Sequence, residues 1–533
     1  MILLVTAKYV LKRKSNYMKK YLKEIKGLII LSNLFFIIET LITSTMLLLP
    51  GYLIDQHQIT KGNIIKLCLI YMLLFSLYLI VCFISNRLAD KRRIKFEKSI
   101  KQDFFSAVLE RKYEDYYFYE TGEYISMQGN DITEMCQNYL SPLISIFRSI
   151  IMILIFGIAL IIYVDFTITL MIIMCSILAV FVPKITAKEL SGRNHKYLDA
   201  FGKYTTKISS FFQLYPILDK RSKNKVKEVH AKELTTVLKE NMHFRKLNSL
   251  AFVFNGGAAE FVGVITFIIV AVFLWKENIT IGMATIAFMY SNRFIEPISE
   301  LNLNIGRIKS VEQIKHKLMQ ILQYKNREEG KKINSFNEII VDRVEKNFEH
   351  STVVLPHMIL KKSEKYLVIG DNGTGKSVFL KMLMKYYPMN KGTIFFDSTD
   401  IRKIDVSNQF AYVAQNSVIL ETSYYNNITL YGTYSDKNLA LYESFFPEHI
   451  IEKIKKSSSI MNLSGGEKQI VSIIRSLCME KQIILWDEPF SAMNKKTIDT
   501  FVEHISEIPQ TLILIAHNFD DYTKFFSKVY SIK

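Results

Sequence analysis

Long apolar runs dominate roughly the first 300 residues, and shorter ones alternate with polar stretches in the rest. Six runs are long enough for a helix to cross about 30 Å of hydrocarbon, which takes roughly 20 residues. The short connections between the third and fourth runs (Val164-Asp165) and between the fifth and sixth (Lys276–Thr280) indicate tight hairpins. We therefore predict six transmembrane helices, at about 27–50, 67–86, 142–163, 166–183, 251–275 and 281–299.

The other two connections between the runs are long and charged, about 55 residues after the second run and 67 after the fourth. Their sequences are compatible with helix, so we expect the membrane helices to extend far beyond the bilayer, by about 37 Å for every 25 residues. Each extension must then turn back. The segments Tyr113–Glu120 and Phe211–Asp219 are our candidates for these turns.

Lysine and arginine are distributed asymmetrically between the connections. They number 8 in 1–26, 9 in 87–141 and 15 in 184–250, whereas the connections on the opposite side hold 3 in total. Cytoplasmic loops carry the excess of positive charge in membrane proteins. The N-terminus, both long connections and the C-terminal third are therefore predicted to be cytoplasmic, and the protein to lie in the plasma membrane. The abundance of Lys, Ile and Asn indicates an AT-rich bacterial genome.

Composition agrees with a membrane protein. A net charge of +18 accompanies 49% hydrophobic residues and a mean hydropathy of +0.14. A soluble protein that binds nucleic acid should be more polar, so we expect no nucleic-acid partner. The five cysteines are scattered, without a CxxC pair or a neighbouring histidine cluster, which argues against a disulfide scaffold or a zinc site.

Five ionisable residues fall within the predicted spans: Glu39, Arg148, Glu260, Arg293 and Glu296. Charge in hydrocarbon is costly, so such side chains should face the bundle interior, a water-filled cavity or the interface. The two arginines and Glu296 lie near predicted helix ends, where snorkelling or pairing explains them. Glu39 and Glu260 lie nearer to mid-span and are our candidates for a substrate cavity.

From about Asn334 the pattern changes to that of an α/β domain. Short β-like runs alternate with helical stretches; they are Tyr366–Ile369, Thr393–Phe396, Phe410–Val413, Ile483–Trp486 and Thr511–Ile515. The first of them leads into a G-x-x-x-x-G-K-[ST] motif, and the helix-like stretch Val378–Tyr386 follows. This is the context that makes a P-loop credible, because loop and helix amides then surround phosphate. The predicted phosphate-binding residues are Gly370, Asp371, Asn372, Gly373, Thr374, Gly375, Lys376 and Ser377.

Within that motif, Lys376 is expected to contact the β- and γ-phosphates and Ser377 to coordinate Mg²⁺. Two carboxylates, Asp487 and Glu488, end the apolar run at Ile483–Trp486. Beside a P-loop, Asp487 would hold Mg²⁺ through water, while Glu488 would act as the general base on the attacking water. An apolar run followed by Asp-Glu is weak on its own and gains weight from the sequence Leu463–Gln469 that precedes it.

The C-terminal third resembles the nucleotide-binding domain of ATP-binding cassette (ABC) transporters. Leu463–Gln469 is similar to their LSGGQ signature, with Glu467 in place of glutamine. Gln415 matches the Q-loop glutamine, which contacts Mg²⁺. By the same resemblance, His517 matches the switch histidine at the γ-phosphate, and Phe348 the aromatic residue that stacks on adenine. The signature residues implied to bind ATP are Ser464, Gly465, Gly466 and Glu467.

The membrane part resembles the six-helix exporter type of the same family. The fold class predicted is thus a multi-pass helical membrane domain followed by an α/β P-loop ATPase domain. The predicted domains are a basic segment at 1–26, the transmembrane domain at 27–302, a linker at 303–335 and the nucleotide-binding domain at 336–533.

The sequence departs from the family pattern at several positions. Val378 stands where a second hydroxyl usually follows the P-loop serine, and Trp486 replaces an aliphatic residue. Asn494 replaces the aspartate of the SALD loop, and Lys453–Met461 lacks the TEVGE-like element of many exporters. None of these changes removes Lys376 or the catalytic pair of Glu488 and His517, so an active and slow ATPase is expected.

A single P-loop and signature imply a dimer, most simply of two copies, because each ATP in this family lies between the P-loop of one domain and the signature of the other. The leading hypothesis is ATP-driven export of a small hydrophobic or modified, bacteriocin-like peptide by alternating access. Export of drug-like amphiphiles or lipids is the alternative, and a non-transporting, nucleotide-regulated membrane module is a third. No leader-cleaving cysteine protease domain is expected, since about 26 residues without cysteine precede the first span.

Overall fold

The computed structural model describes residues 16–56, 60–179, 181–324, 330–348, 351–457, 459–517 and 519–532. Contacts divide the chain into two compact units. The membrane unit comprises Met1–Leu109 and Thr121–Tyr324, and the nucleotide unit comprises Glu110–Glu120 and Lys325–Lys533. The first predicted turn, at Tyr113–Glu120, thus belongs to the nucleotide unit. Most of the basic N-terminal segment, and residues 325–329 of the predicted linker, lie outside the described residues.

Helices occupy all six predicted spans of the membrane unit, and within the fourth span one helix ends at Ala179 and the next begins at Val182. Among the described residues, three helical segments could cross a membrane by length and composition, namely α2, α3 and α5 below, while α6 and the apolar end of α8 are shorter. The helices of this unit are α1 Asn16–Glu24, α2 Lys26–Ile54, α3 Lys61–Leu109, α5 Thr121–Tyr163, α6 Phe166–Ala179, α7 Val182–Gln213, α8 Lys220–Trp275, α9 Ile281–Ser310 and α10 Glu312–Leu322. The short helix α4, Tyr113–Tyr116, lies in the nucleotide unit.

The helices continue far beyond their apolar parts, as predicted. Helix α3 has 49 residues and α8 has 56, so their polar halves form the long connections. The second turn contains a short 3₁₀ segment, Tyr215–Ile217. Asp219 then caps α8 in a capping box. Its side chain accepts from the backbone N–H of Ser222, and its own backbone N–H donates to the Ser222 hydroxyl.

Helices α2 and α9 cross closely at the ends of the membrane unit where Asp55 and Thr280 lie. Gly51 and Gly282 meet there, and a Cβ on Gly282 would lie 2.2 Å from the carbonyl oxygen of Gly51. Asp55 accepts hydrogen bonds from the backbone N–H of Gly282, at 2.7 Å, and from the Thr280 hydroxyl. Small residues and a shared cap therefore fix the contact between these two helices.

The nucleotide unit contains two main sheets, and the strands predicted from sequence all occur. A parallel sheet has the order β12-β5-β11-β10-β9, and an antiparallel sheet has the order β3-β2-β6-β7 with β4 paired to β2. The strands are β1 Lys331–Lys332, β2 Glu338–Asn347, β3 Thr352–Val354, β4 Met358–Lys361, β5 Lys365–Ile369, β6 Lys391–Phe396, β7 Thr399–Asp400, β8 Ile404–Asp405, β9 Phe410–Val413, β10 Ile483–Asp487, β11 Thr511–Ile515 and β12 Lys528–Ser531.

Burial on both faces explains the continuous apolar strands of the parallel sheet. Every residue of β10 and β11 is buried, as is typical of parallel sheets covered by helices. The helices of this unit, besides α4, are α11 Lys376–Leu383, α12 Tyr424–Thr429, α13 Leu439–Ser444, α14 Glu448–Lys456, α15 Gly465–Cys478 and α16 Lys495–Val502. Because the sheet is parallel, the segments that follow β5, β9, β10 and β11 begin at one edge, where ligands bind in such folds.

Candidate functional site

The P-loop joins β5 to α11 at that edge. Gly370, Gly373 and Gly375 have φ angles of +154°, +85° and +98°, which favour glycine. A Cβ on Gly375 would lie 2.3 Å from a methyl carbon of Val353, so this position also requires the absence of a side chain. Lys376 begins α11, and its Nζ donates to the carbonyl oxygens of Gly370 and Asp371 at 2.8 and 2.7 Å. The loop has the shape and the helix N-terminus that phosphate binding needs.

Ser377 and Asp487 come together beneath this loop. The Ser377 hydroxyl donates to Oδ1 of Asp487 at 2.9 Å, and the Tyr412 hydroxyl donates to Oδ2 at 3.2 Å. Burial raises the pKa of Asp487 above its ordinary value, while these two hydrogen bonds oppose the shift. A hydroxyl beside a buried carboxylate is an oxygen donor set that fits Mg²⁺.

Glu488, His517 and Gln415 form a second group at the same edge. Oε2 of Glu488 accepts from Nε2 of Gln415 at 3.0 Å, and Nε2 of His517 lies 3.0 Å from Oε1, though it is not aligned for a hydrogen bond. Glu488 has a φ of +51° and follows Asp487 directly. Glu488 therefore has a left-handed backbone conformation, and its carboxylate has different partners from the adjacent carboxylate of Asp487. Glu488 and His517 also line a cavity of about 240 Å³.

Phe348 directly follows the strand β2, and 37% of the residue is exposed. Its ring packs edge-on against Tyr387, with centroids 5.7 Å apart, and the Lys346 ammonium lies 5.8 Å from its centroid. An exposed aromatic face of this kind is available for stacking on a planar ligand. Its predicted role at adenine stays a prediction.

Helix α15 begins at the predicted signature. Ser464 is its N-cap and forms a capping box with Glu467, in which the Ser464 N–H donates to Oε2 of Glu467 at 2.8 Å. Oε1 of Glu467 lies 2.6 Å from Nζ of Lys453 on α14. Both carboxylate oxygens of Glu467 therefore have partners within the chain. Gly465 and Gly466 pack closely on the next loop, since a Cβ on Gly466 would lie 2.7 Å from the carbonyl oxygen of Ala492.

The signature helix is joined to this loop by Gln469. Its Nε2 donates to the Ser491 hydroxyl at 2.8 Å, and its Oε1 accepts from the Ala492 N–H at 3.0 Å. Asn494 then caps α16, because its Oδ1 accepts from the N–H of Thr497 at 2.8 Å. Asparagine and aspartate are comparable N-caps. Asparagine at position 494 therefore retains the N-cap that the aspartate of the family pattern would provide.

Two further departures, Trp486 and Val378, are accommodated by packing. Trp486 is fully buried, and its indole N–H donates to the Ser476 hydroxyl at 2.9 Å. Its ring packs against Phe490 and Phe501. Val378 is partly buried against the core beneath the P-loop. Both residues therefore fill the interior of the nucleotide unit.

A cavity of about 590 Å³ lies within the membrane unit. Glu39 lines it, and Arg148, Arg293 and Glu296, which the sequence analysis placed near helix ends, line it as well. Glu260, by contrast, is exposed on α8 and is absent from the lining. Its predicted place in a substrate cavity stays a prediction.

Arg148 is held firmly against helix α2. Its Nε donates to Oδ1 of Asn33 and its guanidinium to the carbonyl oxygen of Ser32, both at 3.1 Å, and it lies 4.6 Å from the Phe36 ring centroid. The charged residues around the cavity are three carboxylates and two guanidiniums, and one of the guanidiniums is committed to these contacts. They are Glu39, Glu296, Glu300, Arg148 and Arg293.

Sequence reasoning missed Tyr412, Lys453 and Glu300. Tyr412 pairs with Leu485 across β9 and β10, which places it on the same face as Asp487, so its role depends on a strand pairing that the sequence does not give. Glu300 is one helical turn beyond Glu296 and could have been inferred from their spacing. Lys453 carried no signal, because its contact with Glu467 joins two helices that are separate in the sequence.

Two family models match the chain. The model for the ABC transporter family covers residues 356–491, and the model for the ABC transporter transmembrane region covers 29–210. The first match includes the P-loop, the signature and the two carboxylates. The second includes nearly all of the first four predicted spans.

Known proteins are similar along nearly the whole chain. A putative ABC transporter ATP-binding protein of Streptococcus pneumoniae is 21% identical over 95% of this chain and 90% of its own. The sublancin-168-processing and transport ATP-binding protein of Bacillus subtilis is 22% identical over 88% of this chain and 69% of its own. A phosphonates import ATP-binding protein of Fusobacterium nucleatum is 32% identical over 33% of this chain and 79% of its own.

Solved structures are similar to this chain in fold, and one of them is that of an ABC exporter. The structure of a bacterial Atm1-family ABC exporter with ATP bound matches 98% of this chain and 94% of that chain, with a TM-score of 0.77 and 13% sequence identity. The predicted fold class, a helical transmembrane domain followed by an ATPase domain, is confirmed.

Proposed function

This chain belongs to the family of ABC transporters and is an ABC exporter whose ATP hydrolysis is coupled to transport, and on that premise we propose that two copies form a homodimer that moves a small, cationic hydrophobic or modified peptide out of a bacterial cell. The observation that carries the ATP-hydrolysing part of the proposal is the group of Asp487 and Glu488, each carboxylate oriented by partners on neighbouring segments, beside a complete P-loop.

In this proposal ATP binds at the P-loop, with its phosphates held by loop amides and Lys376. Burial lowers the pKa of Lys376, while Glu488, Asp371 and Asp487 oppose the shift by favouring the charged form. Glu488 is the general base, since its carboxylate is oriented by Gln415, and His517 supports the γ-phosphate. Positioning and charge neutralisation do most of the work in phosphoryl transfer.

Mg²⁺ would be held by Ser377, Asp487 and Gln415. When bound, it neutralises charge on the phosphate oxygens. The chain's own contribution is to orient the ligands: Ser377 and Tyr412 fix the Asp487 carboxylate from two sides. The Gln415 amide donates through Nε2, which leaves its oxygen as the atom available to a cation.

The surface of the second cytoplasmic turn supports the homodimer. Phe212, Tyr215 and Ile217 are 74%, 70% and 77% exposed there, next to a strongly charged helix pair. The first turn differs, because Tyr113 stacks on Tyr386 within the nucleotide unit, with ring centroids 4.1 Å apart. Exposed aromatic and aliphatic side chains at a turn are typical of an interface. A second copy is the partner proposed for it.

Complementation between two inactive variants tests the dimer. Lys376→Ala disables the P-loop, and Ser464→Arg blocks the signature. If ATP lies between copies, a mixed dimer keeps one intact site, so co-expressed variants should hydrolyse ATP although neither does alone. Mixed dimers, isolated through two different tags, that remain as inactive as each variant alone would contradict a site shared between copies.

The cavity in the membrane unit supports the proposed substrate class. Its volume of about 590 Å³ is in the range of pockets that bind small molecules or short peptide segments. Carboxylates outnumber guanidiniums in its lining, which favours a cationic substrate, and Phe36, Phe75 and Phe156 supply apolar contact area. The same aromatic walls favour drug-like amphiphiles or lipids, which remain the second candidates.

The experiment is ATP hydrolysis by the full chain in lipid nanodiscs, beside its Glu488→Gln variant. Turnover should fall at least about 100-fold in the variant, as when an acid–base group is removed. Cationic hydrophobic peptides should raise the wild-type rate, and anionic peptides of equal length should not. Stimulation by neutral lipids or drugs, with peptides inert, would favour the second candidates over the first.

A further inference from the structure

Glu467 places a carboxylate in the first turn of α15, at the position where the family signature has glutamine. The capping box does not need its charge, because glutamine completes the same box with Ser464. The carboxylate therefore adds a negative charge that the helix cap does not require. It does so at a helix N-terminus, the end that favours anionic ligands.

Lys453 compensates this charge from α14. Its Nζ lies 2.6 Å from Oε1 of Glu467, whose side chain is 10% exposed, whereas the lysine side chain is 71% exposed. Burial opposes ionisation of Glu467, yet the Lys453 ammonium and the Ser464 N–H outweigh it, so the pKa of Glu467 is below its ordinary value. The carboxylate is thus ionised near neutral pH and paired with a cation that reaches it from solvent.

We propose that Lys453 is a positioning residue for ATP: by neutralising Glu467, it allows the triphosphate bound to the partner copy to approach the N-terminus of α15. This inference rests on the proposed function, in which the signature closes on the partner's ATP. An unneutralised carboxylate there would repel the phosphates and weaken closure. The pair Glu467 and Lys453 has no net charge, which is also the charge of the glutamine that it replaces.

A double-mutant cycle in the full chain in nanodiscs tests this inference. The measured quantity is the ATP concentration at half-maximal hydrolysis. Lys453→Met should raise it about three- to tenfold, because an uncompensated charge then faces phosphate at low dielectric. Adding Glu467→Gln to Lys453→Met should restore the wild-type value. Lys456→Met is the matched control, since Lys456 pairs with the exposed Glu452 on the same helix, and it should change nothing.

The rescue distinguishes charge compensation from a structural contact. If Lys453 merely holds α14 against α15, the double variant lacks both partners and should be no better than Lys453→Met, which would overturn the proposal. Lys453→Arg should behave like the wild type. Equal values for wild type and Lys453→Met would also overturn it, and would leave the proposed function intact. An inactive wild type would instead overturn the proposed function, and this inference with it.

Discussion

In the nucleotide unit, Asp487 and Glu488 each have a partner on a neighbouring segment, such as the Ser377 hydroxyl at 2.9 Å and the Gln415 amide at 3.0 Å. In the membrane unit, Glu39 and Glu296 line an open space of about 590 Å³ instead. The first arrangement positions single atoms, as phosphoryl transfer requires. The second surrounds a volume with charge, which suits substrates of varied shape. Equivalent substitutions should therefore have very different effects in the two units.

The largest effect is expected for Asp487→Asn. The amide keeps the shape of the side chain and loses the charge that would hold Mg²⁺, so turnover should fall about 100-fold or more. Steady-state hydrolysis in nanodiscs measures it. Thermal unfolding serves as the control, because a variant that also unfolds at lower temperature would report damage to the sheet rather than a lost ligand.

The same isosteric change in the cavity, Glu39→Gln, should leave basal hydrolysis within about twofold of the wild type. It should raise the concentration of a cationic peptide needed for half-maximal stimulation about five- to tenfold, because one attractive charge is lost at a partly buried site. Glu260→Gln is the matched control, since Glu260 is exposed elsewhere in the same unit. A similar loss in both variants would show that the cavity has no special role.

A smaller effect is expected for Tyr412→Phe, which removes one donor from Asp487 and leaves the ring. Loss of a group that orients a metal ligand should weaken Mg²⁺-dependent ATP binding about tenfold. Equilibrium binding of a fluorescent ATP analogue, with and without Mg²⁺, separates this effect from turnover. Weaker binding in the absence of Mg²⁺ as well would contradict a role through Asp487.

The pH dependence of that binding gives a second test. Burial raises the pKa of Asp487, and its hydrogen bonds with Ser377 and Tyr412 lower it. Protons compete with Mg²⁺ for the carboxylate, so binding should be lost as the pH falls toward this pKa. Without the Tyr412 hydroxyl the pKa rises further, and the loss should begin at a higher pH. An unchanged acid limb in Tyr412→Phe would contradict the hydrogen bond.

The smallest effect is expected for Asn494→Asp, which restores the residue of the family pattern. Both residues cap α16 through the Thr497 N–H, and aspartate adds a favourable charge at the helix N-terminus. The free energy of unfolding should rise by about 0.5 kcal/mol or less. Denaturant titration measures it. A large gain in hydrolysis would show that Asn494 limits communication between the two ATP sites.

Much of the nucleotide unit could be predicted, because its residues stand next to one another in the sequence. The P-loop follows β5, and Asp487 and Glu488 stand at the end of β10, and parallel strands bring such segments to one edge. The membrane cavity could be predicted only in part. Hydropathy gives the length of a helix and not its rotation, so the sequence does not decide which ionisable residues of the spans face the cavity.

The sequence by itself determined the family, the two kinds of domain and the phosphate-binding loop, since each of these depends on short-range pattern and on the chemistry of adjacent residues. Only the tertiary structure decided which distant side chains meet. It paired Lys453 with Glu467 and Tyr412 with Asp487, and it brought Arg148 and Glu296 to one cavity. These contacts join separate helices and strands, so they depend on packing geometry that local pattern does not specify.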